Sequence, residues 1–170
     1  MYNPSDFLFV PLGGSGEIGM NANLYHYEGS WLMVDLGISF PDDSMPGIDV
    51  VLPDLSFIEA RREQLAGLVL THGHEDHLGA IPYMWSKLSC PVYGSAFTLA
   101  LLRRKLAENN NPHDIPLIEL SPGIVEDIGA FSVEMVGMAH SIPDPTSLAI
   151  RCDSGTVLHT GDWKFDESPG

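Results

Sequence analysis

Residues 72–77, HGHEDH, place His72, His74, Asp76 and His77 within six positions, directly behind the apolar run of residues 67–70. Imidazole nitrogen and carboxylate oxygen are the ligands that a borderline divalent cation takes. Two histidines two apart point the same way if the backbone is extended, because side chains alternate along a strand. Asp76 and His77 follow as the chain turns, so one short loop can serve two neighbouring cations. Cations ~3.5–4 Å apart suit phosphate-ester hydrolysis. Four such residues in six positions are hard to dismiss as a polar loop. Single histidines are different: His26 and His159 lie in strand-like segments and His113 in a loop, and each reads as an ordinary structural residue.

Two distant stretches supply what the motif lacks. His140 closes an apolar strand in GMAHSIPD, and Asp162 follows the strand-like TVLHT, with Gly161 permitting close approach. The turn GGSGEIG (13–19) is a weak phosphate-loop signal, since no lysine of a P-loop follows it.

The elements that must position these residues can be traced by periodicity. Strands are predicted at 7–14, 22–29 and 31–37, the latter two joined as a hairpin at Glu28-Gly29-Ser30. Residues 38–54, with three prolines and four aspartates, read as a long loop. A helix is expected over 55–65, capped by Asp54, then a buried strand leading into the histidine motif. Helices follow at 78–88, with Pro82 in the first turn, and at 96–110, with Asn110 as its stop. A short strand at 90–95 separates them. Strands at 115–120, 131–141, 147–154 and 156–162 complete the pattern, the last two joined by the DSGT turn. A strand cluster, then strand–helix units, then more strands predicts an α/β sandwich of mixed sheets flanked by helices.

Composition narrows the function. With 44% hydrophobic and 18% charged residues, the 170-residue chain is globular and long enough for a real core. No run approaches a membrane span and the N-terminus lacks a signal peptide, so a cytoplasmic protein with no membrane association is expected. Cys90 and Cys152 lack metal-ligand spacing and read as two buried free thiols. The net charge of −15 weighs against a nucleic-acid surface, and two divalent cations would offset only part of it.

Against that charge stands a resemblance. The segments FVPLGGSGEIGMN, VDLGISFPDDSMPGIDVVLPD, LTHGHEDHLGAIPY, AHSIPD and TGDWKFDESP, in this order, resemble the ribonuclease J family. That family belongs to the β-CASP branch of the metallo-β-lactamase-fold hydrolases. HxHxDH alone specifies only the superfamily; the PGIDVVLPD loop and the GDWKFD ending narrow it.

The resemblance implies the N-terminal portion of a metallo-β-lactamase-type αββα sandwich over residues 1–170. In that family a β-CASP insertion, the rest of the catalytic domain with a last histidine ligand, and a C-terminal domain follow. The resemblance further implies two divalent metal ions, zinc or manganese. His72, His74 and His140 would bind the first, Asp76 and His77 the second, and Asp162 would bridge them. Asp35 would orient the metal loop, Asp76 would help hold or deprotonate the attacking water, and the GGSGEIG turn would border the site. The second metal, short of a ligand, would bind more weakly. The implied activity is hydrolysis of RNA phosphodiester bonds in RNA processing and decay, including rRNA processing, by 5′-to-3′ exonuclease and endonuclease action. The implied substrate is 5′-monophosphorylated single-stranded RNA, and the longer enzyme could form homo-oligomers. Two other readings stay open: a small-molecule hydrolase of thioesters or lactones on the same fold, and a non-catalytic fragment.

Overall fold

The computed structural model describes residues 3–109 and 114–166. His113 and the helix stop expected at Asn110 lie outside the described residues. Two sheets stack face to face. The first has six strands in the order β1 (Leu8–Gly13), β2 (Ala22–Tyr27), β3 (Ser30–Val34), β4 (Leu65–Val69), β5 (Val92–Gly94) and β6 (Leu117–Glu119). Strands β1 to β3 run antiparallel, and β3 to β6 are parallel. The second sheet is antiparallel, ordered β10 (Gly155–His159), β9 (Thr146–Cys152), β8 (Phe131–Gly137) and β7 (Val125–Ile128).

The apolar runs explain the layering. Residues of β2 and β3 are buried on both faces, so they read as continuous rather than alternating hydrophobics. Leu24, Trp31, Met33 and Leu68 face a core shared with the helices. Tyr25, Leu32, Val34 and Val69 face the second sheet, against Phe131, Val133, Leu148 and Ile150. Strand β8 shows the half-buried alternation, with Phe131, Val133 and Met135 inward. Helices α1 (Ser56–Glu59), α3 (Ile81–Leu88) and α4 (Ala96–Glu108) contribute to the first core, which covers one face of the six-stranded sheet. Among the described residues no helix covers the outer face of the second sheet, so the layers are αββ of the αββα arrangement.

Helix α3 starts with Pro82 in its first turn and stops where Ser89 takes a left-handed conformation. Ser95 caps α4, its Oγ accepting the Thr98 N–H at 3.2 Å. The helix expected over 55–65 is shorter: α1 is one turn, followed by a 3-10 turn at Arg62–Gln64. Its next inward positions, 61 and 62, are arginines, so the apolar stripe ends at Phe57 and Ile58. Asp54 accepts the Ser56 N–H at 2.8 Å in a local turn and is not the helix cap, which is Leu55. Strand β7 was not anticipated, because Val125, Glu126 and Asp127 are exposed on a sheet edge and show no apolar alternation. Cys90 is buried, but Cys152 is only partly so, contrary to the expectation of two buried thiols.

Candidate metal centre

Strand β4 ends at Val69, and the chain continues into Thr71, His72 and His74 before α2 (Glu75–Leu78) begins. That single turn of helix carries Asp76 and His77. Two other loops clamp it. The Asn21 N–H donates to the Asp76 carbonyl at 2.9 Å, and the Leu36 N–H to the His77 carbonyl at 2.7 Å. The Ile38 N–H reaches the Glu75 carbonyl at 3.1 Å, and the Gly37 N–H closes the set on the Asn21 carbonyl at 2.9 Å. Gly37 has no substitute here, since a Cβ would stand 1.6 Å from the Asp76 carbonyl oxygen.

The second sheet is tied to the same loop. Thr146, at the start of β9, donates through its N–H and its hydroxyl to the Thr71 carbonyl, at 3.1 and 2.8 Å. The chain leaving β8 delivers His140, and the chain leaving β10 delivers Asp162. They are joined by the Lys164 N–H donating to the Ala139 carbonyl at 2.8 Å.

The structure therefore brings all six expected ligands together. His72 Nε2 and His140 Nε2 lie 3.0 and 3.3 Å from His74 Nδ1, and His140 Nε2 lies 3.5 Å from an Asp162 oxygen. His77 Nε2 lies 3.5 Å from both the Asp76 and the Asp162 carboxylates. These form two sets, His72–His74–His140–Asp162 and Asp76–His77–Asp162, each with its ligand atoms within 4.8 Å of one another. Asp162 is common to both. Around a tetrahedral ion with metal–nitrogen bonds of ~2.0–2.1 Å, ligand atoms stand ~3.3 Å apart. The observed spacings fit that figure, and the mixed nitrogen and oxygen donors fit a divalent cation.

Asp35 is fully buried beneath the sets, at the end of β3. Its carboxylate accepts from the Thr71 N–H at 2.8 Å, the Thr71 hydroxyl at 2.9 Å and His77 Nδ1–H at 2.8 Å. The Thr71 hydroxyl, having given its proton to Asp35, can accept from His72 Nδ1–H at 3.0 Å. One carboxylate thereby sets the tautomer of two histidines and leaves both Nε2 atoms facing the ligand sets. Asp35 holds a left-handed backbone, φ 61°, sustained by these bonds and by its N–H on the Val69 carbonyl.

The charges follow from these contacts. Burial pushes His72 down to about 4, assisted by its neighbour His77, so its ring is neutral at neutral pH. His74 is lowered by burial and by His140. Burial opposes the charging of His77, but Asp35 and hydrogen bonding to Asp162 and Asp35 outweigh it and raise the ring to about 10. The hydrogen bond from His77 lowers Asp162 to about 2, and Asp35 stays below its ordinary value because His77 overcomes the cost of burial.

Two residues near the centre, Thr71 and Asn21, were not singled out from sequence, whereas the glycine turn was expected to border the site. Thr71 is the link between Asp35 and His72, and its only signal is its position before the first histidine. The side-chain amide of Asn21 stands 3.1 Å from His77 Nε2, just past the glycine turn. Gly14 and Ser15 of that turn line a cleft of about 330 Å³ with Asn21, His77 and Asp162. His159 joins no ligand set; it is 3.0 Å from the Tyr25 hydroxyl, and burial lowers its pKa.

The profile of the Metallo-beta-lactamase superfamily matches residues 16–170. Ribonuclease J of Sinorhizobium meliloti is 46% identical over 99% of this chain. The proteins of that name from Synechocystis sp. and Thermus thermophilus are 42% and 38% identical over 94% and 98% of it. The chain spans 31%, 25% and 30% of their respective lengths. Among solved structures, the metallo-beta-lactamase fold protein YhfI from Bacillus subtilis superposes with a TM-score of 0.66 at 16% identity, over 94% of this chain and 64% of its own. A metallo-beta-lactamase from Cronobacter sakazakii superposes with a TM-score of 0.62 at 19% identity, over 87% of this chain and 58% of its own. A shared fold, a superfamily profile over 16–170 and similarity to ribonuclease J along nearly its whole length place the chain in the metallo-beta-lactamase superfamily.

Proposed function

We propose that this chain carries the metal centre of a ribonuclease that hydrolyses phosphodiester bonds of RNA with two divalent cations, zinc or manganese. The observation that supports this best is the meeting of two ligand sets on one shared carboxylate, Asp162. His72, His74 and His140 would hold one cation and Asp76 and His77 the other. Such cations polarise the scissile phosphate and make hydroxide available near neutral pH. Asp35 would act through the two histidines it orients. The half-exposed Asp76 carboxylate would accept a proton from the attacking water. The oxygen of that water would add to phosphorus as the bond to the leaving oxygen breaks, and the leaving oxygen would take up a proton. The proposed substrate is single-stranded RNA with a 5′-monophosphate, cut by 5′-to-3′ exonuclease and endonuclease action in RNA processing and decay, including that of rRNA. Two free cysteines suit a cytoplasmic setting.

We further propose that residues 1–170 are the N-terminal part of a longer enzyme whose β-CASP insertion, returning catalytic strands with a further histidine, and C-terminal domain complete the centre. The 31% share of the Sinorhizobium relative supports this reading. Homo-oligomers would form in that longer protein. No described helix is long and apolar enough to cross a membrane.

The net charge of −15 favours a second reading, a small-molecule hydrolase acting on thioesters or lactones. Incubation of the longer protein with zinc or manganese and 5′-monophosphorylated RNA separates the two. Nucleotide release that disappears in His74→Ala is expected. Thioesterase or lactonase turnover without any nuclease activity would overturn the ribonuclease reading.

A further inference from the structure

Strand β10 delivers Asp162, the carboxylate common to both ligand sets, yet little packing holds that strand. Gly155, Thr156 and Leu158 are exposed, and only Val157 and His159 are half-buried. Pairing with β9, in the register that sets His159 against Leu148, fixes β10 within the second sheet. It does not fix the second sheet against the first, and the ligand sets draw on both. His72, His74, Asp76 and His77 follow β4 of the first sheet, whereas His140 and Asp162 follow β8 and β10 of the second.

A side-chain pair crosses between the sheets at this end of β10. His159 Nδ1 lies 3.0 Å from the Tyr25 hydroxyl, and the rings meet edge to face, their centroids 6.0 Å apart at 82°. Tyr25 belongs to β2, is 3% exposed and packs against Phe7 and Phe9, with centroids 6.2 and 5.3 Å away. Burial, aided by Asp35, pushes Tyr25 up to about 12, and burial lowers His159, so the hydroxyl donates to a neutral ring. Placing two polar groups between the sheets costs desolvation that apolar side chains would not. What the pair adds is direction. Apolar contact is non-directional and lets one sheet slide on the other, whereas a hydrogen bond holds a narrow range of distance and angle. Two residues separate His159 from Asp162. The Ser147 hydroxyl holds the first through the Thr160 carbonyl at 2.7 Å, and the second, Gly161, turns the chain at φ 57°.

We propose that Tyr25 and His159 are positioning residues for Asp162: their hydrogen bond ties the end of β10 to the first sheet and so holds the shared carboxylate within reach of both ligand sets. This rests on the two-cation reading of the site and deepens it. Chelator competition for zinc and the visible spectrum of the cobalt(II)-loaded chain test it. Tyr25→Phe removes the hydroxyl and keeps the ring. Zinc affinity should fall about 10-fold, the lower end of the loss on removing an outer partner of a metal ligand, and the cobalt spectrum should shift as the carboxylate moves. His159→Leu should act likewise, and His159→Asn, which keeps an acceptor near the Nδ1 position, should recover most of the loss. In an Asp162→Ala background Tyr25→Phe should change zinc affinity by less than about 2-fold, because the ligand it positions is gone. If His159→Leu does not fold, the cycle of Tyr25→Phe with Asp162→Ala decides alone. A Tyr25→Phe chain with a lower urea midpoint but unchanged zinc affinity and cobalt spectrum would overturn the positioning role. So would an equal loss with and without Asp162, or a His159→Asn chain no better than His159→Leu. Zinc binding indifferent to the pair sinks this proposal alone, whereas absence of zinc binding by the unsubstituted chain sinks the two-cation reading with it.

Discussion

Gly37→Ala tests whether the three loops around α2 form one unit with the candidate metal centre. Gly37 has an ordinary negative φ, so a methyl group there is opposed by its surroundings alone. The added Cβ would lie 1.6 Å from the Asp76 carbonyl oxygen, 2.0 Å from its carbon and 2.6 Å from the His77 nitrogen. That is roughly 2 Å inside van der Waals contact, and every atom it meets is backbone. Loop 36–38 must therefore separate from residues 75–77. Doing so stretches the bonds from Leu36 to His77 (2.7 Å), Ile38 to Glu75 (3.1 Å) and Gly37 to Asn21 (2.9 Å). At about 1 kcal/mol for each hydrogen bond, with a similar cost for overpacking, the loss is about 3–5 kcal/mol. With a urea slope of about 2 kcal/mol per molar, the unfolding midpoint should fall by roughly 1.5–2.5 M. Gly47→Ala is the control: it has φ 84° but no neighbour within 4 Å, so only the left-handed conformation, about 1–2 kcal/mol, is at stake. The shift also moves Asp76 and His77 away from Asp162. A chelator should then strip zinc from that set first. A Gly37→Ala midpoint no lower than that of Gly47→Ala would refute the reasoning.

Thr71→Val removes the hydroxyl that joins His72 to Asp35 at nearly constant volume. Zinc affinity of the His72 set should drop about 10- to 100-fold in a chelator competition, the usual effect of losing such a partner. Because His77 is raised to about 10, zinc loading at pH 8 should release roughly one proton from it, while His72, at about 4, releases none. The dependence of calorimetric heat on buffer ionisation measures this, and a count of zero would contradict the assignment. The same shift acts on the chelated protein. A folded pKa above the ordinary 6.5 means the His77 contribution is complete below pH 6.5 and is lost as pH rises through about 10. Its urea midpoint should accordingly decline between about pH 6.5 and 10. Of the two thiols, Cys90 is 3% exposed and pushed by burial up to about 12, whereas Cys152 is partly exposed. A thiol reagent should consume one equivalent quickly; two fast equivalents would show that Cys90 is accessible.

Local pattern made most of the fold legible. Continuous apolar runs marked β2, β3 and the approach to the histidine loop, and apolar periodicity, with Pro82 in the first turn of α3, marked α3 and α4. Where the pattern failed, a different force decided. Strand β7 is held by its antiparallel pairing with β8 along the sheet edge, while its own Glu126 and Asp127 argue for a loop. The helix over 55–65 broke off because Arg61 and Arg62 stand where its stripe needed apolar residues. At the site, His72, His74, Asp76 and His77 were visible because they crowd one loop. His140 and Asp162 were visible because each is a ligand type at the end of an apolar strand. Their meeting depends on the bonds from Thr146 to Thr71 and from Lys164 to Ala139, which no local spacing encodes.

Asp35 shows most clearly what local pattern leaves out, since its orienting role was expected from the resemblance alone. In sequence it is an aspartate after a strand, which is ordinarily a turn residue. In the structure it is fully buried, its backbone sits in a region that costs about 1–3 kcal/mol, and its carboxylate accepts three hydrogen bonds. A buried charge in a strained conformation persists only when its surroundings determine it, and here they do so through Thr71 and His77. Those two residues also lead to different ligand sets, Thr71 to His72 in one and His77 to the other. A cation placed on either Nε2 would acidify the Nδ1–H on the far side of that ring and strengthen its bond toward Asp35. The two sets share Asp162 directly, and they share Asp35 through Thr71 and His77.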